Sequence, residues 1–326
     1  MRIVIPSFEA PDNFEENVAF TLRTMGHEVL TRGKRSASAF VSPITRHLEQ
    51  LRGTVLPKAL SSNERWLMRL AASTQIDIVL AITQALSEET LARIKQCGVR
   101  YCVAWWGDTP ANFRKMGLMA EGWDAIFMKD RSAVAKLRGI GLNAQFLCEA
   151  MNPVWHKPLA QQQCEEIVIA GSLYDYRQFL IRKLLRANVH VGVYGPPAPL
   201  WSLPEVKAVH TGIYLVKEEK SRVFGRALAC VNSSPANEWN STNCRTFEIA
   251  GAGGLQLYEY RPAIEECFEP GKELLVFRDF EELIDLIRRL QRSPHEFKRI
   301  RDAGCRRAQA EHTYKHRLEV ILRIVS

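Results

Sequence analysis

The chain runs to 326 residues, 46% hydrophobic and 25% charged, with 44 Lys and Arg against 36 Asp and Glu. That is the profile of a globular protein long enough for two domains, each able to bury its own core. No apolar run approaches the roughly 20 residues that span a bilayer. The opening MRIVIPSF lacks the charged lead and long apolar stretch of a secretory signal, so a cytoplasmic location is expected. The net charge of +8 is spread over both halves, without the basic stripe and aromatic platforms of a nucleic-acid surface, and favours an anionic partner. The eight cysteines form no CxxC pair and no zinc spacing with histidine, so they are expected to be reduced and structural. Cys244 stands apart because it lies in the motif described below.

Strand and helix patterns alternate from the first residue. Arg2 to Ile5 reads as a strand, Phe14 to Met25 as a helix stopped by Gly26, and Glu28 to Thr31 as a second strand. Residues 33–62, with Pro43 and Pro57, break the pattern and read as an excursion around a short helix. With the basic cluster Arg32, Lys34 and Arg35 beside it, this variable segment is a place where contacts to a second substrate are expected. Asn63 to Ala72 is helical, DIVLAI over Asp77 to Ile82 is a buried strand, and Glu88 to Gln96 is a helix. A strand from Arg100 to Trp105, a strand at Ala125 to Met128, a helix from Arg131 to Arg138 and a strand at Gln145 to Leu147 follow.

Asn152-Pro153, Pro158 and the glutamines Gln161 to Gln163 read as a linker. Beyond it the alternation restarts. Strands are expected at Glu166 to Ala170, His190 to Tyr194, Leu228 to Asn232, Leu255 to Leu257 and Leu274 to Phe277. Helices are expected at Arg177 to Ala187, Glu218 to Arg226, Arg245 to Gly251 and Phe280 to Leu290, with His295 onward helical throughout. Strands separated by helices imply parallel sheets covered on both faces. The expected fold is therefore α/β, with two doubly wound, Rossmann-like domains. The first spans residues 1–155 and the second 165–326, the last helix packing back on the first. Such domains bind ligands beyond the carboxyl ends of their strands, in the crevice between them.

The loops at those ends carry the chemistry. Ala170-Gly171-Ser172 follows a strand, and Gly171 lets the backbone approach a ligand. Arg177 near the next helix start adds a cation suited to phosphate. Asn232 to Ser234 close another strand, and their side chains either cap the turn or face the ligand. The densest signal is NCRTFEIAGAGG over Asn243 to Gly254. Arg245 and Thr246 at a helix start, with Glu248 one turn in and glycines that end the helix, suit a diphosphate and a ribose better than a core. A dinucleotide oxidoreductase is excluded, because no GxGxxG follows the first strand.

Arg245 to Glu248, the following GAGGLQLYEYRPAIEECFEPGKE, the glycine and arginine of IVIAGSLYDYR, and the Asn-ending strand ALACVN together resemble the donor-binding region of the CgeB-like glycosyltransferases. WWGDTP in the first half is similar to a segment of the same family. The resemblance implies the GT-B fold and transfer of a sugar from a nucleotide-sugar donor, UDP by group frequency, to a hydroxyl-bearing acceptor. It places Glu248 on the ribose and Arg177 and Arg245 at the diphosphate, with Gly171, Ser172, Asn232 and Thr246 around them. Retaining GT4-type relatives carry a pair of glutamates at fixed spacing. Glu248 matches the second, and the first falls on Asn240, which is therefore grouped with the donor contacts.

In the first half, Gly107-Asp108-Thr109-Pro110 sits at the carboxyl end of a strand. Asp108 is the candidate catalytic base for the acceptor hydroxyl, or else a helix N-cap. Glu9 and Asp12 are lesser candidates for the same task, His27 and His47 read as ordinary surface residues, and Trp105 and Trp106 are candidate sugar platforms. GT-B enzymes commonly need no bound metal, so the resemblance implies neither metal nor cofactor, the nucleotide sugar serving as co-substrate; the lack of a DxD-type carboxylate pair after a strand is consistent with that. The acceptor class stays open between a polysaccharide, a protein and a modified nucleic acid. A binding or structural module on the same fold is the alternative to an enzyme.

Overall fold

Two all-parallel sheets organise the computed structural model, which describes residues 1–35, 60–108, 118–159 and 162–325. The expected excursion with Pro43, His47 and Pro57, the Thr109-Pro110 step after Asp108, and Gln161 of the linker lie outside the described residues. The chain divides into two units, Met1–Leu147 with Leu318–Ser326, and Cys148–Arg317. Each is a Rossmann-like α/β unit.

The first unit runs β1 (Arg2–Val4), α1 (Phe14–Thr24), β2 (Glu28–Leu30), α2 (Ser62–Ala71), β3 (Ile78–Ile82), α3 (Glu88–Gln96), β4 (Tyr101–Trp106), β5 (Ala125–Met128), α4 (Arg131–Gly139) and β6 (Ala144–Phe146). The sheet order is β2-β1-β3-β4-β5-β6. Helix starts follow the local chemistry: Asn13, Ser87 and Asp130 each accept a backbone N–H of the first turn, and Ser61 and Glu64 form a reciprocal capping box. Alternate side chains along the strands line one face of the sheet, which α2, α3 and α4 cover. Val79, Ala81 and Cys102 pack with Leu67, Leu91 and Ile94 of α2 and α3. Ala104, Trp106, Ile126 and Met128 pack with Val134 and Leu137 of α4.

This packing corrects two expectations, for the tryptophans and for Glu9. Trp105 and Trp106 are both buried, Trp105 lying edge-on to Phe14 with ring centroids 4.7 Å apart, so neither is a sugar platform. Glu9 is a structural ion. It accepts both guanidinium nitrogens of Arg23 at 2.9 and 2.7 Å and the Thr31 hydroxyl at 2.8 Å, tying the loop after β1 to α1 and to the end of β2. Asp12 accepts from the Asn17 amide at 3.0 Å and donates its own N–H to Glu16, which fixes a left-handed turn ahead of α1. Arg32 and Arg35 stack on the Phe8 ring, 4.5 and 3.8 Å from its centroid.

The second unit runs β7 (Ile167–Ala170), α5 (Asp175–Arg186), β8 (Val191–Tyr194), α6 (Pro204–Val209), α7 (Glu218–Arg226), β9 (Ala229–Asn232), α8 (Cys244–Gly251), β10 (Gln256–Glu259), β11 (Leu275–Phe277), α9 (Phe280–Arg292), α10 (Lys298–Glu311) and the first turn of α11 (Tyr314–Ile324), whose remainder from Leu318 belongs to the first unit. Sheet order is β11-β10-β9-β7-β8. Ile167 and Ile169 of β7 pack with Leu180 and Leu184 of α5 and Ile287 of α9, whereas Val168 and Ala170 meet Phe224 of α7 and Ile249 of α8. The same alternation turns Asn232, at the end of β9, toward α8.

Two features depart from the sequence reading. Pro204 opens the unexpected α6 at its first turn. The carboxy-terminal helix is broken at His312-Thr313, where the Met151 backbone steps in: its N–H donates to His312 O at 3.0 Å, and Tyr314 N–H donates to Met151 O at 3.1 Å. Carbonyls and amides satisfied from outside no longer sustain the helical ladder.

Burial acts to raise the Glu9 pKa, but the hydrogen bonds from Arg23 and Thr31 hold it below the ordinary 4.5. Its stabilisation is therefore full above that value and fades as pH falls through the lower folded one. Glu9→Gln is expected to reduce stability at pH 7 by about 1–3 kcal/mol. The deficit should vanish in strong acid, as read from urea midpoints across pH.

Candidate functional site

In the second unit the chain leaves β7 for β8 on one side and returns to β9 on the other, so the loops after β7 and β9 flank the point where strand order reverses. Gly171 opens the first loop at φ +118, a conformation that only glycine adopts without strain. A Cβ built there would stand 2.6 Å from Arg245 Nη1 and 2.9 Å from Arg177 Nη1. Two guanidinium tips thus converge over a backbone stripped to leave them room. Gly195, after β8, is equally constrained, since a Cβ there would meet Gly171 O at 2.4 Å.

Arg177 is buried, and every acceptor it meets is neutral. Nη1 donates to Ser172 O at 2.6 Å, and Nη2 donates to Tyr174 Oη and Ser233 O, both at 2.8 Å. Nε reaches Ser233 Oγ at 3.4 Å, and the guanidinium lies 4.4 Å from the Tyr174 ring centroid. Burial first, then the like charge of Arg245, brings its pKa down to about 9, with Glu238 a smaller opposing influence. Among the described residues, no carboxylate lies within ion-pair distance of Arg177, and Arg245 donates no hydrogen bond. A pair of cations with no counter-ion is an anion site.

Helix α8 supplies the other half. Asn243 caps it, accepting the Thr246 N–H at 3.2 Å. Arg245 and Glu248 are three residues apart and share a face, yet they do not pair with each other. Glu248 Oε1 instead accepts from Lys220 Nζ of α7 at 2.8 Å, leaving Oε2 buried without a donor. Among the described residues, one helix face therefore presents a guanidinium with no acceptor and a carboxylate oxygen with no donor. Cys244, beside them, is inert: burial and then the Glu248 charge push its thiol well above the ordinary value.

Two expected donor contacts are spent elsewhere. Asn232 Nδ2 donates to Gln256 Oε1 at 2.8 Å, Thr246 Oγ1 at 3.1 Å and Asn243 Oδ1 at 3.2 Å, and Asn232 Oδ1 accepts from Asn243 Nδ2 at 3.1 Å. Asn232 and Thr246 thus belong to a closed, buried network that locks β9, α8 and β10 together, which leaves them no ligand-facing group. Ser172 takes part through its carbonyl, which holds Arg177. Asn240 lies on the loop ahead of α8 with its Oδ1 buried and without a hydrogen-bond partner. Asp108 sits beyond β4 in the first unit, half-buried, where Gly107 N–H donates to Thr83 Oγ1 at 3.2 Å. Sequence reasoning missed Lys220 and Tyr174, the first because KEEK reads as a solvated helix start and the second because an aromatic there reads as packing.

Residues 177–323 match the family model described as Glycosyl transferase-like. Among curated proteins, none matches the chain in sequence. Solved structures share the fold over its whole length. Sucrose-phosphate synthase from Thermosynechococcus elongatus superposes with a TM-score of 0.70 at 12% identity, covering 99% of this chain and 98% of that one. Anabaena HepE in complex with UDP-glucose gives 0.64 at 10%, covering 99% of each. A glycosyltransferase from Rickettsia africae gives 0.66 at 10%, covering 99% and 97%.

With the like charge of Arg245 removed, the buried Arg177 charge is less costly. Arg245→Met is expected to raise the ligand-free melting temperature by about 1–4 °C, and Gly171→Ala to lower it, as scanning calorimetry of the full chain will show. Residues 177–323 are thus similar to the glycosyl transferase-like family, and the chain as a whole has the two-domain fold of the GT-B glycosyltransferases.

Proposed function

We propose that this glycosyltransferase moves a sugar from a UDP-linked donor to a hydroxyl-bearing acceptor, without a bound metal or cofactor. The observation that carries the reading is the shared face of α8, where Arg245 lacks an acceptor and Glu248 Oε2 lacks a donor. A nucleoside diphosphate satisfies both at once. Its phosphate oxygens accept from Arg245, and its ribose hydroxyls donate to Glu248. Anabaena HepE, which shares the fold, holds UDP-glucose and UDP in its solved structures, and this supports uracil as the base.

In this reading Arg177 acts mainly as a fixed, desolvated charge behind Arg245, since its own N–H groups are largely engaged by the loops. The pair stabilises the negative charge that grows on the departing diphosphate, a role for which preorganised cations suffice. That is the support for metal-independent transfer. Gly171 provides the close approach, Asn240 faces the donor sugar, and Asp108 is the base that takes the acceptor proton. The acceptor class is a polysaccharide, a protein or a modified nucleic acid.

Titration calorimetry with UDP and with inorganic diphosphate separates the roles. Arg245→Met is expected to weaken both at least tenfold, and Glu248→Gln to weaken UDP at least fivefold while leaving diphosphate within twofold. Equal loss of both ligands in Glu248→Gln would remove the ribose assignment. A panel of nucleotide sugars, assayed for released nucleotide with and without cell-extract acceptors, tests the activity itself. Binding with no turnover under any condition would leave a sugar-nucleotide-binding module instead.

A further inference from the structure

On the side of α8 toward the carboxy-terminal helices lies a second cluster that donor binding does not use. Cys148 and Cys267 are both buried, and the Cys267 thiol donates toward Cys148 Sγ at 4.0 Å. Residues far apart in sequence are brought together here: Cys148 opens the second unit, and Cys267 ends the 3₁₀ turn over Pro262–Glu266. A hydrogen-bonded scaffold surrounds them. His312 Nε2 meets Cys267 O at 2.7 Å, and Arg317 Nη2 donates to His312 Nδ1, also at 2.7 Å. That arrangement fixes His312 as the neutral Nε2–H tautomer. Burial and then Arg317 take its pKa down to about 3. The Cys267 hydrogen bond, and after it the Arg317 guanidinium beside Cys148, favour the Cys148 thiolate against the opposing effect of burial.

We infer that Cys148 and Cys267 form an oxidisable dithiol, converted by peroxide to a disulfide behind the helix that carries Arg245 and Glu248. The Cys148 thiolate attacks a peroxide oxygen, the O–O bond breaks, and the sulfenic acid forms as hydroxide leaves. Cys267 sulfur then attacks the sulfenic sulfur, its proton goes to the departing hydroxyl, and water is released. Overall, two thiols and one hydrogen peroxide give one disulfide and two waters. The thiols are at van der Waals contact, and closing to a bond of about 2.05 Å draws the Cys267 backbone toward Cys148. Phe268 moves with Cys267. Its ring and that of His312 pack on Phe247 of α8, with centroid separations of 5.9 Å for Phe268 and 5.1 Å for His312. The bond is therefore transmitted to the helix one residue from Glu248, a consequence that rests on the donor-site reading above.

The test treats the full chain with hydrogen peroxide, alkylates free thiols, and maps peptides by mass spectrometry. A Cys148–Cys267 linked peptide is expected in the native sequence and in Cys97→Ser, reversed by dithiothreitol and absent in Cys148→Ser and Cys267→Ser. Full alkylation of both cysteines after unfolding, under conditions that oxidise the exposed Cys97, overturns the dithiol. UDP affinity of the oxidised chain is expected to change at least threefold, and in Cys267→Ser to be insensitive to peroxide. A linked peptide with unaltered UDP affinity overturns the transmission to α8. Absence of UDP binding in both redox states, with the linked peptide present, counts against the donor site alone.

Discussion

A buried guanidinium with no carboxylate at ion-pair distance among the described residues is the constraint around which the second unit is arranged. Arg177 holds three pieces of chain through neutral oxygens: Ser172 beyond β7, Tyr174 at the start of α5 and Ser233 beyond β9. Neutral acceptors satisfy its geometry but not its charge. A protein in which an aspartate filled this place would be more stable and would have no anion site. Arg245, set over the same glycine, adds to the unbalanced charge. The stability given up here is recovered when an anion arrives, because a ligand that binds only the folded state stabilises it in proportion to its occupancy. Folding and ligand affinity thus draw on the same electrostatic term with opposite signs.

The helix that completes the site is short, and its surroundings fix it almost entirely. Gly253 at φ +74 turns the chain out of α8, and Gly254 lets it return beneath α7, where a Cβ would come within 2.9 Å of Phe224 O. The buried amide network of Asn232, Asn243, Thr246 and Gln256 secures the other flank. Phe247 sits against His312 and Phe268. With so many contacts the helix has little freedom to reorient, and the positions of Arg245 and Glu248 follow from packing rather than from any interaction between them. Preorganisation of this kind limits the ordering cost of ligand binding.

Much of this was legible in the sequence, for identifiable reasons. The unbroken apolar run in IVIAG placed β7 and its glycine turn, since a buried parallel strand ending in glycine has few other readings. The pattern RTFE, followed by glycines, placed α8 and named its two charged residues. What the sequence could not separate was a polar side chain facing a ligand from one facing a polar partner. Asn232 ends its strand as a ligand contact would, yet its amide closes on Asn243, Thr246 and Gln256, partners that only the folded register brings within reach. Glu9 likewise follows a strand as a catalytic carboxylate would, and Arg23 and Thr31 consume it. Trp105 and Trp106 alternate across β4, but helices cover both faces of the sheet, so both rings are buried.

Lys220 shows the opposite limit. It begins as one of several charges at a helix start, and only the approach of α7 to α8 selects it from Lys217 and Arg222 as the partner of Glu248. That selection decides how Glu248 is presented. A carboxylate at this position with no lysine nearby would turn to Arg245, three residues away on the same helix, and the two groups would neutralise each other. By engaging Oε1, Lys220 holds the carboxylate away from that pairing and leaves Oε2 to a hydroxyl. The same step frees Arg245 to lean over Gly171, where its positive charge adds to that of Arg177 instead of being cancelled. One ion pair outside the expected motif therefore keeps both halves of the motif available.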